Sequence, residues 1–195
     1  FSTIQGAGPV LVARDSRIHG ANLINAGCRA LQKCGRETYN FGIIPTPTAQ
    51  FMVEKNDFSG GIVITASHNP IEWNGLKFID SDGCFLDIEK NLDLFKIADD
   101  DSMQENNLGN IRTIESGFLS HIEHTKNLSV IDSKVIESQK FNVVIDAVNG
   151  AASLALPAMV EALGCTVHRL HCEPDGKFPR GAEPLPNHLR KLGKT

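Results

Sequence analysis

Short apolar runs along the chain predict buried β-strands. The strongest run lies between Gly60 and Thr65, where residues 62–64 are β-branched and apolar on both faces, as in a central parallel strand. Similar runs predict strands at Pro9 to Ala13, Phe141 to Asp146 and Cys165 to Leu170.

Apolar residues at helical spacing predict the elements between these strands. The predicted helices are Ile18 to Cys34, Thr48 to Lys55, Asp87 to about Ala98, Glu115 to about Leu128, and Ala152 to Leu163. Gly35 and Gly164 stand where a helix ends, and Asp87 stands where an N-cap is expected.

A hairpin and a change of unit complete the predicted organisation. Leu76 to Ile79 and Cys84 to Leu86 flank a Ser-Asp-Gly turn, and the polar stretch Asp99 to Asn110 is predicted as a solvated loop. Because strands and helices alternate on both sides of about residue 138, we expect two α/β units, 1–137 and 138–195, the second of them incomplete.

Composition excludes several classes of function. The net charge of −4 provides no basic face for nucleic acid, and no run approaches the roughly 18 apolar residues of a membrane helix. Five cysteines without a Cys-x-x-Cys pair favour neither a disulfide framework nor a zinc site. We therefore expect reduced thiols and a cytoplasmic protein that binds neither nucleic acid nor membrane.

The candidate chemistry lies where the predicted strand 60–65 ends in Thr-Ala-Ser-His-Asn-Pro. Ligands bind at this end of a strand in open α/β sheets, and Ser67 there would be exposed on a rigid support. His68, Asn69 and Lys77 supply polar or positive groups nearby. By spacing alone, an ordinary crossing from a strand into a turn is the favoured explanation of the segment.

The whole segment Gly60 to Phe78 closely resembles the phosphoserine loop of the α-D-phosphohexomutase family. Other segments fall in family order: Val12 to Gly20 with its Arg-Asp-x-Arg, the Thr-Pro turn in Gly42 to Pro47, Val143 to Ser153, and Pro174 to Leu189. The resemblance implies a mixed, mostly parallel sheet sandwiched by helices, followed by the start of a second, similar α/β domain.

The resemblance also implies a reaction, in which a phosphoserine passes its phosphoryl group to a hexose 1- or 6-phosphate and takes the other phosphoryl group back. It implies that Ser67 is the phosphoacceptor and that Lys77 is a general acid or base beside it. It further implies a Mg²⁺ ion held by oxygens of the phosphate on Ser67. The substrates would be glucose, mannose or glucosamine phosphates.

The neighbours of Ser67 have less specific implied roles. We expect His68 to shape the loop and contact phosphate, and Asn69 to act similarly. Arg14 and Arg17 are predicted either to bind phosphate or to pair with Asp15, and the sequence leaves these alternatives open.

Some family features are not found in the sequence. The Asp-x-Asp-x-Asp metal loop, the sugar loop of a third domain, the phosphate loop of a fourth domain and a Gly-x-Arg-Gly segment have no counterpart in residues 1–195. We therefore expect the chain to be the N-terminal portion of a mutase, with the remaining domains missing, and to have little or no mutase activity by itself.

Other interpretations remain open. The chain could be a non-catalytic phosphosugar-binding or interaction module. A serine hydrolase that uses Ser67 and His68 is disfavoured because a Gly-x-Ser-x-Gly elbow is lacking, and no Gly-x-Gly-x-x-Gly favours a dinucleotide.

Two histidine pairs and one loop are interpreted as structural. His121 with His124, and His168 with His171, have a spacing that permits a metal, but ordinary surface histidines are expected instead. The loop Asp146 to Ala151 precedes a helix and could hold an anion, and we interpret it as scaffold.

Overall fold

The computed structural model describes residues 1–99 and 107–194. Its strands are β1 Val10–Arg14, β2 Thr38–Ile43, β3 Gly60–Ile64, β4 Leu76–Asp80, β5 Ile111–Thr113, β6 Asn142–Asp146 and β7 Thr166–Leu170. Its α-helices are α1 Gly20–Lys33, α2 Thr46–Lys55, α3 Ile88–Ala98, α4 Phe118–Lys126, α5 Ser133–Gln139 and α6 Ala155–Ala162. No helix within these ranges is long and apolar enough to span a bilayer.

The first five strands form one mixed sheet in the order β4-β3-β1-β2-β5. β1 pairs in parallel with β2 and β3, and β2 pairs in parallel with β5. Only β4 is antiparallel within this sheet, against β3. The predicted α/β class with a mostly parallel sheet is confirmed.

Helices cover both faces of this sheet, because its central strands are apolar on both sides. Val10 and Val12 of β1 pack with Ile24, Cys28 and Leu31 of α1. The alternate residues Leu11 and Ala13 face a second cluster that includes residues of α2 and α4. Strand β3 is buried throughout, as its predicted central position requires.

Local chemistry sets several element ends where the sequence predicts them. Gly35 and Gly164 have φ of 76° and 79°, a left-handed conformation that glycine adopts without a Cβ clash, and each follows a helix. The Asp87 carboxylate accepts a hydrogen bond from the backbone N–H of Lys90 at 2.8 Å and so caps α3.

Other elements differ from the predictions. β2, β5 and α5 were not predicted: β2 contains Asn40 and Gly42, β5 has only three residues, and α5 is short with no buried side chain. The return half of the predicted hairpin forms a single antiparallel bridge, Ile79 to Phe85, while β4 pairs with β3 along its whole length. Of the predicted loop 99–110, residues 100–106 lie outside the described residues.

The second unit contains the strand-helix-strand sequence β6-α6-β7, the order that joins two parallel strands. Its two strands do pair in parallel. Its helix α6 shares a core with the five-stranded sheet, in which Ala155 of α6 clusters with Leu11 of β1 and Phe118 of α4. The predicted division at residue 138 stays a prediction.

His121 and His171 are not the surface histidines that the sequence predicts. His121 is partly buried against the ring of Phe51, with ring centroids 4.7 Å apart, and its Nδ1 lies 3.1 Å from the Thr48 hydroxyl. His171 lies 3.2 Å from the buried carboxylate of Asp146. Their partners are distant in sequence, so spacing within one element could not indicate them.

Replacing Leu11 by alanine should lower the free energy of unfolding by roughly 2–5 kcal/mol, because Leu11 is fully buried and truncation leaves a cavity. Leu119→Ala is the matched control, since Leu119 is 54% exposed, and should change this free energy by less than about 0.5 kcal/mol. Urea unfolding measures both. Equal losses in the two variants would contradict the two-faced core.

Acidification should destabilise the chain through His121. Burial, with a smaller contribution from His124, lowers the pKa of His121, so the unfolded chain binds a proton that the folded chain resists. Stability should be complete above the ordinary pKa of about 6.5 and fall as the pH drops below it. His121→Gln should flatten the change in urea midpoint between about pH 7.5 and 5.5, whereas the exposed control His168→Gln should not.

Candidate active site

The loop after β3 presents Ser67 on a strained but well-supported backbone. Ser67 is exposed and has φ of 54°, and its N–H donates to the Thr65 hydroxyl at 3.0 Å. The side-chain nitrogen of Asn74 in the same loop is buried without a hydrogen-bond partner among the residues that the structure describes. Because such features cost free energy, surrounding contacts must hold the loop in this conformation.

Lys77 provides a positive charge at the Ser67 hydroxyl. Its Nζ donates to Ser67 Oγ at 2.9 Å and lies 5.6 Å from the centre of the Phe85 ring. Lys77 reaches this position because β4 runs antiparallel to β3 and places it opposite Val63, near the end from which the loop leaves. Ser67 and Lys77 therefore lie near the two ends of the connection between the adjacent strands β3 and β4.

Arg17 holds the loop from beneath. Its Nη1 donates to the carbonyls of Pro70 and Trp73, and its Nη2 donates to those of Ser67 and Asn69 at 3.0 and 2.8 Å. A guanidinium has five N–H groups, and the fifth, on Nε, donates to Asp15 at 2.9 Å. Arg17 is 0% exposed, so of the two roles predicted for it the structure displays the pairing with Asp15.

Asp15 links this arginine to the two central strands. Its Oδ2 accepts from Arg17 and also from the Thr65 hydroxyl at 2.7 Å, while its Oδ1 accepts from the backbone N–H of Arg17 at 3.0 Å. Asp15 follows β1, and Thr65 follows β3. The carboxylate therefore fixes the ends of both strands relative to the loop.

The other predicted residues lie around the loop, and their described side-chain hydrogen bonds and ion pairs go to groups other than the serine hydroxyl. Asn69 donates its amide to the Ala66 carbonyl at 2.9 Å and closes the turn. Arg14 is partly buried and donates to the carbonyl of Asp15 at 2.9 Å; burial lowers its pKa, and the Asp15 carboxylate opposes that change. His68 is exposed, with Nε2 3.3 Å from Glu183 of the second unit.

Sequence reasoning missed Glu183 as part of the site, named Thr65 only as the start of the loop, and treated Asp15 only as a partner for arginine. The Arg-Asp-x-Arg spacing was the available signal for Asp15, because a carboxylate two residues before an arginine can accept from both its backbone and its side chain. No sequence signal places Glu183 beside His68, since 115 positions separate them in the numbering (183 minus 68).

The described residues do not complete a metal site by themselves. Within residues 1–99 and 107–194 no group of three or more His, Cys, Asp or Glu side chains is placed to hold a metal ion. The ammonium of Lys77 at the serine hydroxyl suits an anion there, so an incoming phosphoryl group fits this charge better than a bare cation does.

A sheet covered by helices on both faces, with an exposed serine at the end of a buried strand and a lysine of the next strand at its hydroxyl, defines an α/β/α protein with a candidate active site at that sheet edge. The chain belongs to the phosphoglucomutase/phosphomannomutase family. The model of α/β/α domain I of this family matches residues 1–105, and that of α/β/α domain II matches residues 117–195.

Individual relatives agree with this assignment. The chain is 37% identical to a phosphoglucomutase/phosphomannomutase of Thermococcus kodakarensis over 93% of its length, and 32% identical to a phosphoglucosamine/phosphogalactosamine mutase of Sulfurisphaera tokodaii over 95%. It spans 40% and 42% of these relatives' lengths. A crystal structure of a family protein from Burkholderia thailandensis superposes with a TM-score of 0.75 at 26% identity, covering all of this chain and 43% of that one.

Replacing Arg17 by glutamine should lower the free energy of unfolding by roughly 3–5 kcal/mol, because Asp15 and several loop carbonyls would lose their buried donor. Arg17→Lys should recover little of this loss, since an ammonium cannot reproduce the planar fork. The exposed Arg29 on α1 offers the control Arg29→Gln. Urea unfolding is the measurement, and equal stability of the Arg17 and Arg29 variants would contradict the assigned role.

Proposed function

We propose that the chain carries the phosphoryl-transfer serine of an intramolecular phosphotransferase that interconverts hexose 1-phosphate and hexose 6-phosphate. The contact of 2.9 Å between Lys77 Nζ and the exposed Ser67 Oγ carries this proposal. Family membership supports it, and the activities for which the relatives are named supply the candidate sugars.

In the proposed half-reaction, a hexose bisphosphate donates one phosphoryl group to Ser67. The serine oxygen forms a bond to phosphorus, the bond from phosphorus to the sugar oxygen breaks, and the serine proton passes to the departing sugar oxygen. The reverse transfer, to the other end of the sugar, completes the isomerisation. Since a phosphate ester is exchanged for a phosphate ester, the reaction needs positioning and charge neutralisation more than a strong driving force.

Each neighbouring residue has a proposed part. Lys77 neutralises the transferred group and relays the proton between the serine and sugar oxygens. His68 and Asn69 shape the loop, and their exposed side chains are available to phosphate. Arg14 supports the loop end of β1, and Arg17 holds the loop carbonyls so that the serine hydroxyl stays directed at its lysine.

Mg²⁺ is the proposed cofactor, and it would supply further positive charge to the phosphoryl oxygens. On this chain those oxygens, carried by Ser67, are the proposed ligands. Which hexose phosphate is used is left to experiment, because the relatives are named for glucosamine, galactosamine, and gluco- or mannomutase activities.

The test is transfer from glucose 1,6-bisphosphate in the presence of Mg²⁺, followed by peptide mass mapping. We expect one phosphate, on Ser67. Ser67→Ala should abolish it, and Ser81→Ala, at an exposed serine of the turn after β4, should not. Lys77→Met should slow the transfer by a factor of about 10²–10⁴, as loss of a general acid or base does.

A polypeptide extended to the length of the relatives separates two ways in which this test could fail. Phosphate on Ser67 only in the extended polypeptide would locate the remaining binding groups outside residues 1–195 and keep the proposal. Absence of phosphate from Ser67 in both polypeptides would reject it in favour of a non-catalytic phosphosugar-binding module.

A further inference from the structure

A segment of the second unit covers the arginine that holds the serine loop. The ring centre of Phe178 lies 5.0 Å from Cζ of Arg17, which is 0% exposed. All the N–H groups of Arg17 already bind Asp15 and the loop carbonyls, so only the faces of its guanidinium remain for a neighbour. An aromatic ring suits such a face, because its π electrons attract the cation without competing for hydrogen bonds.

The backbone around Phe178 is pressed closely against the first unit. A Cβ on Gly176 would lie 2.3 Å from the Ser16 carbonyl oxygen, and Gly176 also has φ of 68°, so only glycine fits. The Ser16 hydroxyl donates to the Asn149 carbonyl at 2.7 Å, and the N–H of Gly176 donates to the same carbonyl at 3.3 Å. The approach therefore rests on several contacts and not on the ring alone.

Phe178 itself has φ of 47°, an unfavourable conformation for a residue with a Cβ. A few residues further on, Glu183 reaches His68, next to the serine. The segment of residues 176–183 therefore contacts the loop in two ways: indirectly at its buried side, through Arg17, and directly at its exposed side, at His68.

We propose that Phe178 is a positioning residue for phosphoryl transfer, acting by covering the guanidinium of Arg17 and thereby keeping the serine loop in its transfer geometry. The ring keeps water from competing with the loop carbonyls for Arg17, and hydrogen bonds withdrawn from water are electrostatically stronger. The catalytic part of this inference rests on the proposed function, whereas the effect on the loop can be measured without it.

The test compares Phe178→Ala, Phe178→Leu and Phe178→Tyr in the full 195-residue chain with Phe95→Ala as control. Phe95 is 65% exposed on α3, so its loss removes a ring of the same size without uncovering Arg17. Alanine and phenylalanine share the Cβ penalty at positive φ, so the difference between them reports the ring.

The first measurement is hydrogen exchange at the loop amides of Ser67, Asn69 and Trp73, each of which donates a hydrogen bond within the loop. Phe178→Ala should speed their exchange about tenfold, a factor that corresponds to roughly 1.4 kcal/mol. Phe178→Tyr should exchange like the parent chain. If Phe178→Ala does not fold, Leu against Tyr makes the same comparison of side chains without and with a ring.

The second measurement is phosphate transfer to Ser67 from glucose 1,6-bisphosphate, in the shortest polypeptide that accepts it. Phe178→Ala should lower the saturated rate about tenfold, again equivalent to roughly 1.4 kcal/mol, with little change in the half-saturating concentration. A merely structural role would not lower the saturated rate while leaving the half-saturating concentration unchanged.

The outcomes separate the two proposals. Loop exchange that is equally fast in the Phe178 and Phe95 variants, or equal in the Leu and Tyr variants, overturns the inference about Phe178. Loop exchange could instead respond to the Phe178 variants as expected while Ser67 never accepts phosphate in any polypeptide. That result overturns the proposed function and leaves Phe178 as a support of the loop only.

Discussion

The buried pair of Asp15 and Arg17 is the interaction on which the rest of the site depends. Two charged groups removed from water are stable only if every donor and acceptor is satisfied, and here the guanidinium binds both the carboxylate and the loop carbonyls. The pair therefore does more than neutralise itself. Because the loop carbonyls supply the hydrogen-bond acceptors that the buried guanidinium needs, the same contacts hold the backbone of the loop that carries Ser67 in place.

The sheet provides the frame for this pair. Strands β1 and β3 are buried on both faces, so their ends are rigid, and Asp15 and Thr65 are bonded to each other just beyond them. The antiparallel strand β4 then returns to the same end with Lys77. A parallel neighbour would need a longer crossover connection before it could present a side chain at that point.

The arrangement combines a fixed backbone with exposed candidate reacting groups. Ser67 is exposed and Lys77 is partly so, while the residues that hold them, Arg17 and Asp15, are buried. This division suits the proposed transfer, because a substrate that approaches from solvent would meet a nucleophile whose orientation is already fixed. The second unit adds to it, since Phe178 in its segment 176–183 covers a face of the Arg17 guanidinium.

The sequence by itself determined the local elements and singled out the candidate side chains. Runs of β-branched residues, glycines at helix ends and the Asp87 cap act over a few positions, so β3, β6 and the ends of α1 and α3 could be predicted. The loop with Ser67 and Lys77 could be predicted from its likeness to a family motif. The short, polar elements β2, β5 and α5 could not, because their own sequences are weak and pairing with neighbours stabilises them.

Only the tertiary structure decided how the candidate residues divide their work. Arg14, Arg17, His68 and Asn69 looked alike as potential phosphate ligands, yet Arg17 is enclosed by carbonyls and His68 lies beside Glu183. The physical reason is that hydrogen bonds and burial depend on groups that are far apart in the chain. A local pattern records which chemical groups are available, and the packing of distant segments determines what each group contacts.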